Sequence, residues 1–194
     1  MRVLKRRLRV QITPAACILW AAALLILPLP WIAAVAAAAA IHEVCHWLAL
    51  TAQGIPVGEL CLDWDGARMV TGAMSPRQEW ISALAGPAGR LLLGLIMPLF
   101  PGVAIIGMVQ GIINLLPIYP RDGGRALRVF LGDKSEPVEI VTRVLIVVGL
   151  LLLGIRLKWY FPLFATIFFL PVPKLMEKDL AKRRRTGYNS PDYR

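Results

Sequence analysis

Long apolar runs, separated by short breaks rich in proline and arginine, dominate this chain and predict helices long enough to cross a bilayer. Six such spans can be drawn, at about residues 11–29, 31–50, 80–100, 102–118, 138–155 and 159–172, the last short and aromatic. Pro28 and Pro30 end the first, and Trp31 opens the second. Between spans two and three the period changes. Leu60, Leu62 and Trp64 alternate with Glu59, Cys61 and Asp63, the pattern of a half-buried strand. Asp65-Gly66 supplies a type I′ turn that would pair Leu62 with Met69 and Asp63 with Arg68 in a hairpin. The hairpin is either a plain surface feature or an edge that holds an extended peptide by strand addition. The expected fold class is an all-α polytopic membrane protein of about six transmembrane helices with a small membrane-associated β-hairpin.

Composition strengthens that expectation. The chain is 57% apolar, against about 45–50% for a soluble domain. Little length is left for a second unit, so one membrane-embedded domain is expected over residues 1–175, with its core at about 31–130. A basic, polar tail at 176–194 has too little to bury for folding.

The formal net charge of +10 sits largely at the two ends. Arg2, Lys5, Arg6, Arg7 and Arg9 crowd the start, and Lys174, Lys178, Lys182, Arg183, Arg184 and Arg185 crowd the end. Basic clusters flanking apolar spans mark cytoplasmic ends that face anionic lipid. Nothing here combines basic and aromatic residues into a nucleic-acid reader, so nucleic acid is not an expected partner. With both termini cytoplasmic the number of spans is even. Arg68, Arg77, Arg121, Arg125, Arg128 and Lys134 then fall in cytoplasmic loops, while Arg156 and Lys158 run against the pattern. The expected location is the cell membrane, multi-pass. The basic start and following apolar run imitate a secretory signal, but the run leads straight toward His42, so an uncleaved first span is expected. Cys17, Cys45 and Cys61 are odd in number and lack framework spacing, which favours packing thiols over disulfides.

Span two carries IHEVCHWLA, with the only two histidines of the chain, His42 and His46. Four residues apart on a helix, they share one face and can grip one ion. Glu43, beside His42, can reach the attacking water without being a ligand. A satisfied core histidine pair is the bland reading, but ionisable groups at mid-bilayer cost at least about 2.5–3.5 kcal/mol, which favours a functional site. A catalytic zinc site needs a third protein ligand and an open position. With no histidine left, that ligand is a carboxylate or a cysteine, and Cys45 within the motif keeps a thiolate contact open. His42 lies about 17 Å below Trp31 at helical rise, just past the midplane toward the cytoplasm. Span four ends at that side in NLLPIYPRDGGRAL, where Pro117 and Pro120 break the helix and Asp122 follows. Asp122 is the expected third ligand, against an ordinary turn aspartate as the alternative. Gly123 and Gly124 would let the backbone turn closely around the metal.

HEVCH, ALAGPAG and a later N-x-x-P-x-x-P-x-D-G-G, in that order over roughly residues 31–130, resemble the site-2 family of intramembrane zinc metalloproteases. The short form, without a PDZ domain, is similar to the stage IV sporulation protein FB branch. The resemblance implies a Zn2+ cofactor and cleavage of membrane-anchored protein substrates at or near the bilayer. The implied partners are that substrate and the lipid bilayer, with room for a regulatory membrane partner. Two positions depart from the family: Arg121 stands where leucine is usual, and Arg90 where asparagine is common. Arg90 is read either as a cation snorkelling to the cytoplasmic edge or as a stabiliser of the oxyanion. Asn114 either holds substrate backbone or packs span four. A catalytically silent membrane adaptor of the same family is the alternative function. A zinc transporter fits less well, because no further histidines remain to build successive sites.

Overall fold

The computed structural model describes residues 9–64 and 66–158. The order of elements is β1 (Arg9–Ile12), α1 (Pro14–Ile26), α2 (Leu29–Ala52), β2 (Val57–Asp63), β3 (Gly66–Thr71), α3 (Pro76–Leu92), α4 (Pro101–Leu115), α5 (Asp122–Leu131) and α6 (Ser135–Leu157). Short 3-10 turns follow α3 at Leu93–Ile96 and precede α6 at Gly132–Lys134. The chain is mostly helical with one small sheet. The sixth expected span and the basic tail lie outside the described residues.

The helix boundaries follow local chemistry. Prolines occupy the first turns of α1, α2, α3 and α4, where their missing N–H costs nothing. Ser75 and Gln78 close a reciprocal capping box at the start of α3, which then continues through Pro87. Pro117 and Pro120 follow the end of α4 and separate it from α5, as their positions imply. Two stretches among the described residues are long and apolar enough to cross a membrane: α2, and the continuous helical run Asp122–Leu157. The expected spans three and four are shorter than drawn. α3 has 17 residues and α4 has 15, and 15 residues rise only about 22 Å.

The sheet corrects the expected hairpin in two ways. Residues 9–12, expected as the start of the first span and its basic flank, instead form β1 and pair in parallel with β2, Val10 opposite Leu60. The strand order is β1-β2-β3. The hairpin register also differs: Leu62 faces Ala67, Cys61 faces Arg68 and Asp63 faces Gly66. Gly66 is therefore a strand residue paired with Asp63, not a turn residue. Asp63 and Arg68 still meet, at 2.6 Å, as a diagonal pair on one face.

The helices are built inside out. Ala34 and Ala38 of α2, Ala83 of α3 and Ala104 of α4 are buried, as are His42, His46, Arg90, Asp122 and Glu139. Large side chains such as Leu25, Leu95 and Ile155 are more than two-thirds exposed. Small residues let α2, α3 and α4 pack closely, and His42, His46, Arg90 and Asp122 gather beside them, while Glu139 lies against Arg128 of α5.

Candidate metal centre

α2 places His42 and His46 on one face, one turn apart, with their rings edge to face. Asp122, the first residue of α5, reaches the same point. Its Oδ2 lies 3.1 Å from His42 Nε2 and 3.4 Å from His46 Nε2, and the two Nε2 atoms are 3.0 Å apart. All three residues are buried.

The proton inventory of this triad is informative. A carbonyl oxygen can only accept, so His46 Nδ1 must carry the proton it donates to Ser82 O at 2.6 Å. In the neutral ring Nε2 then carries a lone pair. Asn114 Nδ2, a donor only, sits 3.3 Å from His42 Nε2 and makes that nitrogen an acceptor as well. His42 Nδ1 is buried without a partner among the described residues. Two lone-pair nitrogens and a carboxylate oxygen thus converge with no proton assigned between them, an arrangement that a cation relieves. A tetrahedron with metal bonds of about 2.0–2.1 Å has edges of about 3.3–3.4 Å. The three observed separations fall within a few tenths of an ångström of that edge, and the donor set suits zinc.

The neighbouring residues fall into distinct roles. Glu43 is half-buried, has no hydrogen bond among the described residues, and feels the charges of His46, Asp122, Arg90 and Arg125. Arg125 Nη1 lies 3.5 Å from Asp122 Oδ1, on the side away from the histidines. Arg90 does not snorkel. It is buried and donates from Nε to Ala38 O, one turn before His42, at 3.2 Å. Cys45 packs against Gly89 of α3 and is no part of the ligand cluster. Gly123 and Gly124 do not wrap the ion directly. They seat the first turn of α5 on the backbone of Leu115, Leu116, Ile118 and Tyr119, where no Cβ would fit.

Sequence reasoning passes over Ser82, because a backbone carbonyl carries no residue-type signal. It also passes over Glu139, which lies at the start of an apolar span and gains its partners through tertiary contacts.

No family model matches the chain. A curated Synechocystis protein, provisionally named a zinc metalloprotease, is 33% identical over 123 residues, 53% of this chain. The chain spans about a third of that relative's length, 32%. Among solved structures, the site-2 protease from Methanocaldococcus jannaschii superposes with a TM-score of 0.62 over 87% of this chain and 89% of the other, at 15% identity. Over the matched residues the chain is similar to the named zinc metalloprotease, and over most of its length its fold is similar to that of the site-2 protease. The structural likeness speaks for the fold. α2 and the helical run Asp122–Leu157 are long and apolar enough to cross a membrane, and the buried cluster of His42, His46 and Asp122 could hold a metal ion.

Proposed function

We propose that this chain is an intramembrane zinc metalloprotease that cleaves membrane-anchored protein substrates near the cytoplasmic side of the bilayer. The observation that carries the reading is the spacing of His42, His46 and Asp122 on a tetrahedral edge, with Glu43 unbonded beside them. In this reading about six spans cross the cell membrane and both termini are cytoplasmic.

His42, His46 and Asp122 would hold the ion, and Asp122 supplies a negative charge that offsets part of the ion's own in a dry setting. A zinc ion held there would supply an acidified water, with a pKa of about 7, and a Lewis acid for the scissile carbonyl. Glu43 takes the proton of the attacking water and hands it to the leaving amine. Ser82 orients His46 through Nδ1 and fixes the tautomer that leaves Nε2 free. Arg90, at the deep side of the site, meets the developing oxyanion, and Asn114 holds His42 and the substrate backbone. The outer edge of β3, unpaired among the described residues, can keep an unwound substrate extended.

The deciding experiment co-expresses the chain with a membrane-tethered reporter and compares it with Glu43→Gln. Cleavage by the parent and none by the variant is the expected result. Equal processing by both sinks the protease reading, and zinc uptake that survives Glu43→Gln would favour transport.

A further inference from the structure

Glu139 of α6 is 4% exposed, a costly place for a carboxylate unless its oxygens are saturated. They are. Oε1 accepts from Arg128 Nε at 2.7 Å and from Ser135 Oγ at 3.3 Å. Oε2 accepts from Arg128 Nη2 at 3.0 Å and from the backbone N–H of Tyr119 at 3.3 Å. The Arg128 guanidinium also lies 3.9 Å over the Tyr119 ring, and Arg143 Nη2 donates to Tyr119 O at 3.2 Å. Tyr119 is held at its N–H, its ring and its carbonyl by side chains of α5 and α6.

Tyr119 belongs to the turn on which α5 is seated. Gly124 abuts Ile118 and the Tyr119 nitrogen, Gly123 abuts the Leu115 and Leu116 carbonyls, and Arg121 N–H donates to Ile118 O at 2.9 Å. Asp122 sits between these contacts, so the backbone of residues 115–121 sets where its carboxylate falls. Gly123 and Gly124 leave no compliant side chain in between to absorb a shift of that turn.

We infer that Glu139 is a positioning residue for Asp122: acting through Tyr119 and Arg128, it fixes the 117–121 turn and hence the point at which Asp122 meets His42 and His46. The inference rests on the metal-centre reading. Groups that orient metal ligands from behind are typically worth about 10–100-fold in metal affinity.

The test uses the full chain in detergent, with Glu139→Gln and Arg128→Lys. The first keeps the shape and loses the charge; the second keeps the charge and loses the two-pronged hydrogen bond. Hydrogen exchange of the amides within residues 118–124 is read without metal, and cobalt binding is read by its visible absorption. Both variants should exchange faster in this segment while α2 is unchanged, and should bind cobalt about tenfold or more weakly. Unchanged exchange overturns the inference, whether or not cobalt binds. Faster exchange with unchanged cobalt affinity overturns it too, because Asp122 would then be placed independently of the turn. A parent chain that binds neither cobalt nor zinc sinks the metal-centre reading instead, and the two failures are told apart by the parent's own titration. Should Glu139→Gln not fold, Arg128→Lys carries the same comparison.

Discussion

Gly86 of α3 faces His46 of α2 so closely that a methyl group in its place would overlap the imidazole, and it would stand 2.7 Å from His42 Cε1. Both rings are thus packed against bare backbone. Gly86→Ala should push them off the point they share with Asp122. Overpacking a well-filled site costs about 1–3 kcal/mol, so cobalt affinity should fall roughly tenfold or more while helix content persists. Gly149→Ala in α6, where a Cβ meets nothing within 4 Å, is the control and should leave cobalt binding unchanged. Unchanged affinity in Gly86→Ala would mean that the ring positions do not depend on this contact.

Metal and chemistry should separate cleanly between two carboxylates. Asp122→Asn removes the negative ligand and should abolish both zinc retention and reporter cleavage. Glu43→Gln should retain zinc, because no ligand atom is lost, yet lower cleavage by about 10²–10⁴-fold, the usual worth of a general base. Zinc content of the purified proteins checks the first claim. Loss of zinc in both variants would place Glu43 among the ligands.

Much of this centre is legible in the sequence, because its signals are local. The i, i+4 histidines need only helical geometry, and Pro117 and Pro120 announce the end of α4 before Asp122. Partners brought together by tertiary packing are not legible: Glu139 is 20 residues from Tyr119 in sequence, and neither residue type signals the other. Local signals also mislead. Gln11 and Ile12 read as the start of an apolar span because four residues are too few to display a strand period, and only the free edge of β2 makes them a strand. Asp65-Gly66 favours a type I′ turn by propensity. The Thr13 and Trp64 contacts of Asp63 instead accompany a register shifted by one residue at the turn, in which Gly66 pairs with Asp63.

Asp63 ties that sheet to α1. Its carboxylate accepts from Thr13 Oγ1 at 2.8 Å, from the Trp64 N–H at 2.8 Å and from Arg68 Nη2 at 2.6 Å. Partial burial raises its pKa, but the Trp64 and Thr13 hydrogen bonds and the Arg68 charge outweigh it and hold the carboxyl below its ordinary value of 3.8. A depressed carboxyl stabilises fully above the unfolded value and loses that contribution as pH falls through the lower, folded one. Hydrogen exchange in Arg9–Ile12 and Val57–Asp63 should therefore gain protection with rising pH through the acid range, after correction for intrinsic rates. Asp63→Asn should flatten that dependence and cost about 1–3 kcal/mol locally. A variant as protected as the parent would show the ion pair to be inert.

Arg90 offers the sharpest division between structure and chemistry. Its Nε bonds Ala38 O, and among the described residues no carboxylate lies within ion-pair distance, although Glu43 and Asp122 act on it electrostatically. A buried cation with no ion-pair partner carries a desolvation cost that an apolar residue of similar length does not. Arg90→Met should accordingly keep the fold, with thermal stability equal to or above the parent's, and should keep zinc. If Arg90 meets the oxyanion, the same variant loses about 10²–10³-fold in cleavage rate. Arg90→Asn, which installs the amide common in the site-2 proteases that the sequence resembles, should recover part of that loss, because an amide N–H can donate to the same oxygen. Arg90→Met with full cleavage would assign Arg90 to packing alone, against the bare backbone of Gly111 in α4.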